Sequence, residues 1–181
     1  MTFPVDRLVF TPDDVDLARS PLRASLNAET YVLGAFNPGF TRLPNGNLLM
    51  MVRIAEALRA PIVQDHIHAI RRDEAGRFAL TGFPLNAVNA TDPRKFHLTS
   101  YPVKVMALTS LSWLLPVEMS ADGLTVQDIH YDKAIAPAAP YQEYGVEEAA
   151  RPAADCRRPL AHQTRLCPLR PFCDLIRRSR R

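Results

Sequence analysis

Apolar residues in the first 148 positions come in short runs that are separated by turn-forming residues. Residues 30–36 are rich in β-branched and aromatic side chains, as strands are. Asn37-Pro-Gly ends this run, and Leu43-Pro-Asn-Gly-Asn forms a turn before a second apolar run over 48–54. The two runs predict a β-hairpin. Leu, Met, Ala and Glu favour a helix over 47–58 as the alternative, but an Asn-Gly turn between two apolar runs argues against it.

Two more strand-turn-strand units follow along the chain. Residues 65–72 and 77–83 flank a turn at 73–76, and the long apolar run over 103–118 precedes a turn at Ala121-Asp-Gly. Strands at this density predict an all-β fold of consecutive antiparallel hairpins. Periodicity alone leaves a sandwich, a barrel and a propeller open.

The pattern divides the chain into three regions. Residues 1–28 form a lead-in segment, in which Thr11-Pro-Asp-Asp caps a short helix over 15–19 that ends at Ser20-Pro21. Residues 29–148 form the β-rich domain. Residues 149–181 form a tail without strand alternation.

Charge and cysteine content separate the tail from the rest. The net charge is +3, but nine arginines against two aspartates give the tail +7, which leaves −4 for residues 1–148. The cysteines, Cys156, Cys167 and Cys173, all lie in the tail at intervals of eleven and six, which supply no closely spaced zinc-binding pair. Their odd number also argues against a disulfide framework. We expect the tail to be disordered, because so little apolar surface cannot offset the entropy of ordering it.

The length of 181 residues and the 47% hydrophobic content suit one ordinary globular domain. No run approaches the roughly 18 apolar residues of a membrane-spanning helix. The start, MTFPVDRLVF, lacks the charged-then-apolar layout of a secretion signal. We therefore expect a cytoplasmic protein with no membrane partner.

Four motifs together carry a resemblance to a known family. They are Phe36-Asn-Pro-Gly-Phe, Leu43-Pro-Asn-Gly-Asn-Leu-Leu-Met-Met-Val-Arg53, Leu108-Thr-Ser-Leu-Ser and Tyr141-Gln-Glu-Tyr-Gly-Val-Glu-Glu148. In this order they resemble the amino-terminal part of glycoside hydrolase family 130, the β-mannoside phosphorylases and their hydrolase relatives, over residues 30–148. The resemblance implies a five-bladed β-propeller. At on the order of 40–60 residues per blade, this chain would hold two to three blades of a partial propeller.

The resemblance stops within one or two residues of Glu148, where Ala-Ala-Arg-Pro-Ala-Ala-Asp-Cys follows. Such an abrupt end predicts a reading-frame shift and a truncated enzyme. A basic arm that contacts nucleic acid through phosphate-pairing arginines is the alternative for the tail, with salt-sensitive and sequence-independent binding. We expect no nucleic-acid partner and leave the oligomeric state open.

The resemblance also implies the chemistry. Inverting cleavage needs an acid for the leaving oxygen and a nucleophile on the opposite face of the sugar. The family's acid is an Asp, and Glu148 stands at that position, with Glu147 at the family's preceding Glu. Inorganic phosphate would be the co-substrate of a phosphorylase, with no other cofactor and no metal. A misplaced carboxyl can cost about 10²-fold in rate, so we expect this chain to be inactive.

A β-linked mannoside or related oligosaccharide would be the substrate. The resemblance assigns Asn37 to a sugar hydroxyl, whereas a turn-former is the equally good reading from the residue alone. Arg53 follows five apolar residues and either points inward to a polar ligand or faces water at the end of a strand. Glu147 and Glu148 without the resemblance would be a solvated pair. The alternative to a carbohydrate-active enzyme is a non-catalytic fragment or a binding protein.

Two further candidates depend on which face their strands expose. Trp113 is predicted to pack in the core, with a sugar-stacking role as the alternative. His66 and His68 share one face of a strand and could start a metal site, but Asp65 would lie on the other face. We expect no metal there.

Overall fold

The computed structural model describes residues 7–92, 94–101, 105–138, 142 and 144–146. These residues form an all-β structure, as predicted, with antiparallel strands and short 3-10 turns. The strands are β1 (Thr30–Arg42), β2 (Leu48–Leu58), β3 (Ile62–Val63), β4 (His66–Arg72), β5 (Phe78–Pro84), β6 (Val88–Asp92), β7 (Lys95–Leu98), β8 (Val105–Leu108), β9 (Ser110–Met119) and β10 (Val126–Ile129). The 3-10 turns are Pro12–Asp14, Leu17–Arg19, Leu85–Ala87 and Tyr131–Lys133. Glu147, Glu148 and the whole tail with its cysteines lie outside the described residues.

Three antiparallel sheets contain these strands. The largest sheet has the order β1-β2-β9-β10, and the other two have the orders β3-β4-β5 and β6-β7-β8. The chain therefore builds both three-stranded sheets between β2 and β9, and β9 then returns to pair with β2. Across the described residues the sheets do not close into a barrel. The partial propeller stays a prediction.

The predicted hairpin is confirmed as β1 and β2, and the helix over 47–58 is wrong. β1 is longer than its apolar run suggests, because Asn37-Pro-Gly makes a bulge between Phe36 and Gly39 and pairing resumes up to Arg42. β2 is buried along almost its whole length, since sheet neighbours and packing segments cover both of its faces. Leu and Met therefore fill a central strand despite their helical propensity.

The long apolar run over 103–118 is not a single strand, contrary to the expectation. It divides at Thr109 into β8, which pairs with β7, and β9, which pairs with β2. The Thr109 N–H donates to the Arg94 carbonyl at 3.1 Å, and its own carbonyl accepts from the Leu58 N–H at 3.0 Å. Thr109 is buried, as are Ala107 and Leu111 two positions away on either side, so hydrophobicity alone does not reveal where the chain changes sheets.

The largest sheet has two differently covered faces, which alternate along β2 and β9. We call them the Trp113 face, which carries Val52, Ile54 and Trp113, and the Arg53 face, which carries Met51, Arg53 and Ser112. The lead-in segment covers the Trp113 face, where Phe10, Leu22 and Leu26 join the main hydrophobic core. The short helix predicted over 15–19 is wrong: the segment forms two 3-10 turns, Pro12–Asp14 and Leu17–Arg19. The Asp14 carboxylate accepts from the Thr11 N–H at 2.7 Å.

A buried carboxylate fastens this lead-in segment to the sheet. Glu56 of β2 is 1% exposed and accepts hydrogen bonds from Ser20 Oγ at 2.5 Å, Thr30 Oγ1 at 2.7 Å and Trp113 Nε1 at 3.0 Å. A buried carboxylate needs such donors, because each unmet oxygen would cost free energy. Glu56 therefore joins the lead-in segment, the start of β1 and β9 at one point. Among the described residues, no helix has the length and apolar character to cross a membrane.

Candidate functional site

On the Arg53 face, the predicted residue Arg53 lies in a row of side chains that crosses three strands of the sheet. Phe36 in β1 lies opposite Arg53 in β2, and Arg53 lies opposite Leu114 in β9. The Arg53 Nε donates to the Ser112 Oγ at 3.0 Å, and the guanidinium carbon lies 5.9 Å from the centre of the Phe36 ring. The guanidinium is thus fixed between an aromatic ring and a hydroxyl on neighbouring strands.

Arg53 lies in the middle of β2, not at a strand end. β2 continues to Leu58, and Val52 and Ile54 on either side of Arg53 are buried on the Trp113 face. Arg53 itself is half-buried and hydrogen-bonded within the sheet. The placement agrees with the inward-pointing reading, while its role in binding a ligand stays a prediction.

Asn37 is exposed and directly follows Phe36 of this row. Its φ of 46° is left-handed, which Asn tolerates better than most residues other than glycine. The residue lies in the β1 bulge directly after Phe36, which explains why an Asn-Pro-Gly sequence interrupts the strand without ending it. Its contact with a sugar hydroxyl stays a prediction.

A short segment, residues 144–146, extends the row beyond β9. The Ser112 N–H donates to the Tyr144 carbonyl at 3.2 Å, and the Val146 N–H donates to the Ser112 carbonyl at 2.9 Å. Gly145 lies between these bonds with a φ of +96°, and a Cβ there would be 2.1 Å from the Ser112 carbonyl oxygen. Only glycine fits this position, both for its backbone angle and for the close approach.

Ser112 therefore holds two parts of the row together. Its side chain accepts from Arg53, and its main chain bonds to residues on both sides of Gly145. The Tyr144 hydroxyl also donates to the Met106 carbonyl of β8 at 2.8 Å, which connects the segment to a second sheet. Glu147 and Glu148 follow Val146 directly in the sequence, and their predicted roles lie outside the described residues.

Two candidates from the sequence have other positions. Trp113 is fully buried on the opposite face and donates to Glu56, so the core prediction is confirmed and the stacking alternative is wrong. His66 and His68 share a face, as expected, because both imidazoles lie against Gly82 of β5. His68 Nδ1 lies 3.3 Å from the Pro61 carbonyl. In the part of the chain that the structure describes, no three His, Cys, Asp or Glu side chains converge on a metal position.

Three site residues were not predicted from the sequence, although each lies within one of the four motifs: Phe36, Ser112 and Gly145. Ser112 ends the Leu-Thr-Ser-Leu-Ser motif, and Gly145 follows Tyr144 in the last motif. The signal that could have found Gly145 is a glycine between two large residues in a strand-like run, which often marks a close backbone approach.

A second polar cluster lies at the end of the same sheet, near the β1–β2 turn. Glu118 Oε1 accepts from Asn47 Nδ2 at 2.6 Å and from Asn45 Nδ2 at 3.0 Å, and Glu118 Oε2 lies 3.5 Å from His130 Nε2. Burial alone would raise the pKa of Glu118, but the hydrogen bonds from Asn47, Asn45 and His130 outweigh it, so the pKa lies below its usual value. Glu118 is therefore ionised, and its hydrogen bonds with Asn45 and Asn47 connect the β1–β2 turn to β9.

The fold resembles that of a sugar phosphorylase. A solved complex of β-1,2-mannobiose phosphorylase from Listeria innocua with β-1,2-mannobiose matches this chain with a TM-score of 0.55 and 26% sequence identity. The match covers 74% of this chain and 35% of the phosphorylase, so the chain corresponds to about a third of that protein. No family model and no curated protein match the sequence.

This neighbour is a mannoside phosphorylase, the class of enzyme that the four motifs indicate. At 26% identity it supports the family only loosely. What the comparison establishes is a fold like that of a carbohydrate-active enzyme. Its bound β-1,2-mannobiose is an oligosaccharide of the kind that the motifs imply.

Proposed function

We propose that this chain is a carbohydrate-active protein of the β-mannoside phosphorylase or glycosidase type, and that the Arg53 face binds a β-linked mannoside. The observation that carries the proposal is the fixed position of Arg53 between Phe36 and Ser112. A guanidinium held in place beside an aromatic ring, with the exposed Asn37 next along the chain, suits a ligand that has both hydroxyls and apolar C–H faces. The fold similarity to a mannobiose phosphorylase supports this class of ligand.

The roles follow from the chemistry of inverting glycoside cleavage. Arg53 and Asn37 would donate hydrogen bonds to sugar hydroxyls, and Glu148 would protonate the leaving oxygen from the position that corresponds to the family's Asp, with Glu147 beside it. Inorganic phosphate attacks the anomeric carbon in phosphorolysis and leaves as the sugar 1-phosphate, whereas water attacks in hydrolysis. Residues 144–146 support this arrangement, because they run beside Ser112 directly before the two glutamates. The wider fold is proposed to be a partial propeller.

A binding experiment tests whether the Arg53 face holds a mannoside. Saturation-transfer NMR with β-1,2-mannobiose should give signals with the wild-type chain that Arg53→Ala removes. Arg59→Ala is the matched control, because Arg59 lies just past the end of the same strand with a 58% exposed side chain. Equal signals for wild type and Arg53→Ala, or no signal with the wild type, would contradict the proposed site.

A turnover assay tests the catalytic roles in the proposal. The wild-type chain is incubated with β-1,2-mannobiose with and without inorganic phosphate, and the products are separated by chromatography. Mannose 1-phosphate that forms only with phosphate identifies phosphorolysis, and mannose alone identifies hydrolysis. Because glutamate replaces aspartate at position 148, we expect binding without turnover. Formation of either product would contradict this expectation and would also exclude the non-catalytic alternative.

A further inference from the structure

Phe36 is a large aromatic side chain that the fold leaves uncovered beside Arg53. Phe36 is 41% exposed, whereas Trp113, on the opposite face of the sheet, is fully buried. Phe36 lies on the Arg53 face, since it is opposite Arg53 in the β1–β2 pair. An aromatic ring that is exposed next to a fixed cation is in a position to contact a ligand.

The backbone seats this ring against the sheet. Gly34 precedes Phe36 by two positions and shares its face, and a Cβ at Gly34 would lie 2.1 Å from Phe36 Cζ, 2.6 Å from Cε2 and 2.8 Å from Cε1. The far edge of the ring therefore occupies the space that any other side chain at position 34 would fill. Gly34 has an ordinary strand conformation, so the ring is the reason that this position requires a glycine.

The residues around the ring complete a surface with two kinds of contact. The Arg53 guanidinium carbon lies over the ring, 5.9 Å from its centre, with the Nε bonded to Ser112, and Asn37 follows Phe36 in the β1 bulge. Pyranose rings have one face of C–H groups and an edge of hydroxyls, and aromatic faces attract C–H groups while charged and amide donors bind hydroxyls. The arrangement matches both sides of a sugar ring.

We propose that Phe36 is a stacking platform for the pyranose ring of the bound mannoside, and that Gly34 sets its orientation. This rests on the proposed function, because it names the apolar contact of the same site. Phe36 is accordingly a substrate-binding residue, and Gly34 is a positioning residue that acts through it.

Four single variants test the platform by their affinity for β-1,2-mannobiose, measured by NMR titration of the whole chain. Phe36→Leu should weaken binding by about tenfold or more, which corresponds to about 1.4 kcal/mol, because it removes the ring. Phe36→Tyr keeps the ring and should stay within about twofold of wild type. Gly34→Ala keeps the phenylalanine but displaces it, and should weaken binding like Phe36→Leu. The control is Phe40→Leu, on the same strand and 48% exposed, but opposite Met50 of the Trp113 face.

The possible results distinguish the stacking role of Phe36 from mannoside binding by the site as a whole. Wild-type affinity in Phe36→Leu, while Arg53→Ala abolishes binding, would overturn the platform and leave the sugar site in place. Wild-type affinity in Gly34→Ala would overturn the positioning role. Failure of the wild-type chain to bind any β-linked mannobiose would overturn the proposed function and the platform together. Far-UV circular dichroism and thermal midpoints confirm that each variant is folded.

Discussion

Gly145 packs against the main chain of Ser112 more closely than any other residue type could, since a Cβ at position 145 would lie 2.1 Å from the Ser112 carbonyl oxygen. This contact keeps residues 144–146 in register with β9, and the hydroxyl of the same serine holds Arg53. One residue of β9 therefore positions both the cation of the proposed site and the segment that leads to Glu147 and Glu148.

Gly145→Ala should detach residues 144–146 from β9, because the new methyl group meets main-chain atoms that cannot move aside. We expect the amide protons of Ser112 and Val146 to exchange at least about tenfold faster by NMR, as in local opening. Gly46→Ala is the matched control, since Gly46 has a φ of +90° but no atom within 4 Å of its added Cβ. The control should lose about 1–2 kcal/mol from backbone strain alone and leave both amides protected. Unchanged exchange in Gly145→Ala would contradict the contact.

Glu56→Ala should lower the free energy of unfolding by more than about 3 kcal/mol, because it leaves the donors of Ser20, Thr30 and Trp113 buried without their acceptor. Urea unfolding measures the loss, and the fluorescence of the single tryptophan reports the change beside it. Glu74→Ala, at an exposed turn position, should stay within about 0.5 kcal/mol of wild type. A wild-type midpoint for Glu56→Ala would mean that the carboxylate does not fasten the lead-in segment.

Ser112→Ala should weaken mannoside binding several-fold with little loss of stability. The variant removes the acceptor of the Arg53 Nε, while the main-chain bonds to Tyr144 and Val146 remain. A single hydrogen bond contributes about 1 kcal/mol, so the unfolding midpoint should change little. Ser110→Ala, two residues earlier on the same face, is the control for both measurements. Equal affinities of the two variants would show that the Ser112 hydroxyl does not orient Arg53.

The contribution of Glu118 to stability should disappear in acid. Its pKa in the folded state lies below the usual value, so the carboxylate stabilises the protein fully above about pH 5 and loses this effect as the pH falls through the folded-state pKa. Wild type should therefore exceed Glu118→Gln in unfolding free energy at about pH 7, and the difference should shrink towards about pH 3. Urea titrations of both proteins across this range measure it. A difference that grows in acid would show that the pKa is raised instead.

Local sequence predicted much of the strand content, because turn chemistry and apolar runs act over a few residues. The Asn-Gly hairpin and the turn before β10 are examples. The pairing of β9 with β2 could not be predicted in this way, since both strands are buried along almost their whole length and Thr109 carries no signal of the crossing. Arg53 was found because a charge in an apolar run is unusual, whereas Phe36 was missed because its exposure depends on Gly34 and on the edge position of β1.

The insertion of two sheets between β2 and β9 also has a consequence for synthesis on the ribosome. β2 ends at Leu58, but its second partner, β9, begins only at Ser110. During synthesis, one edge of the β1–β2 hairpin therefore stays unpaired until the strands of both smaller sheets have been translated. Pairing over such a separation is slow, because a long loop must close before any contact is gained. The centre of the molecule is therefore among the first parts translated and among the last assembled, which makes this stage the one at which a chaperone would matter most.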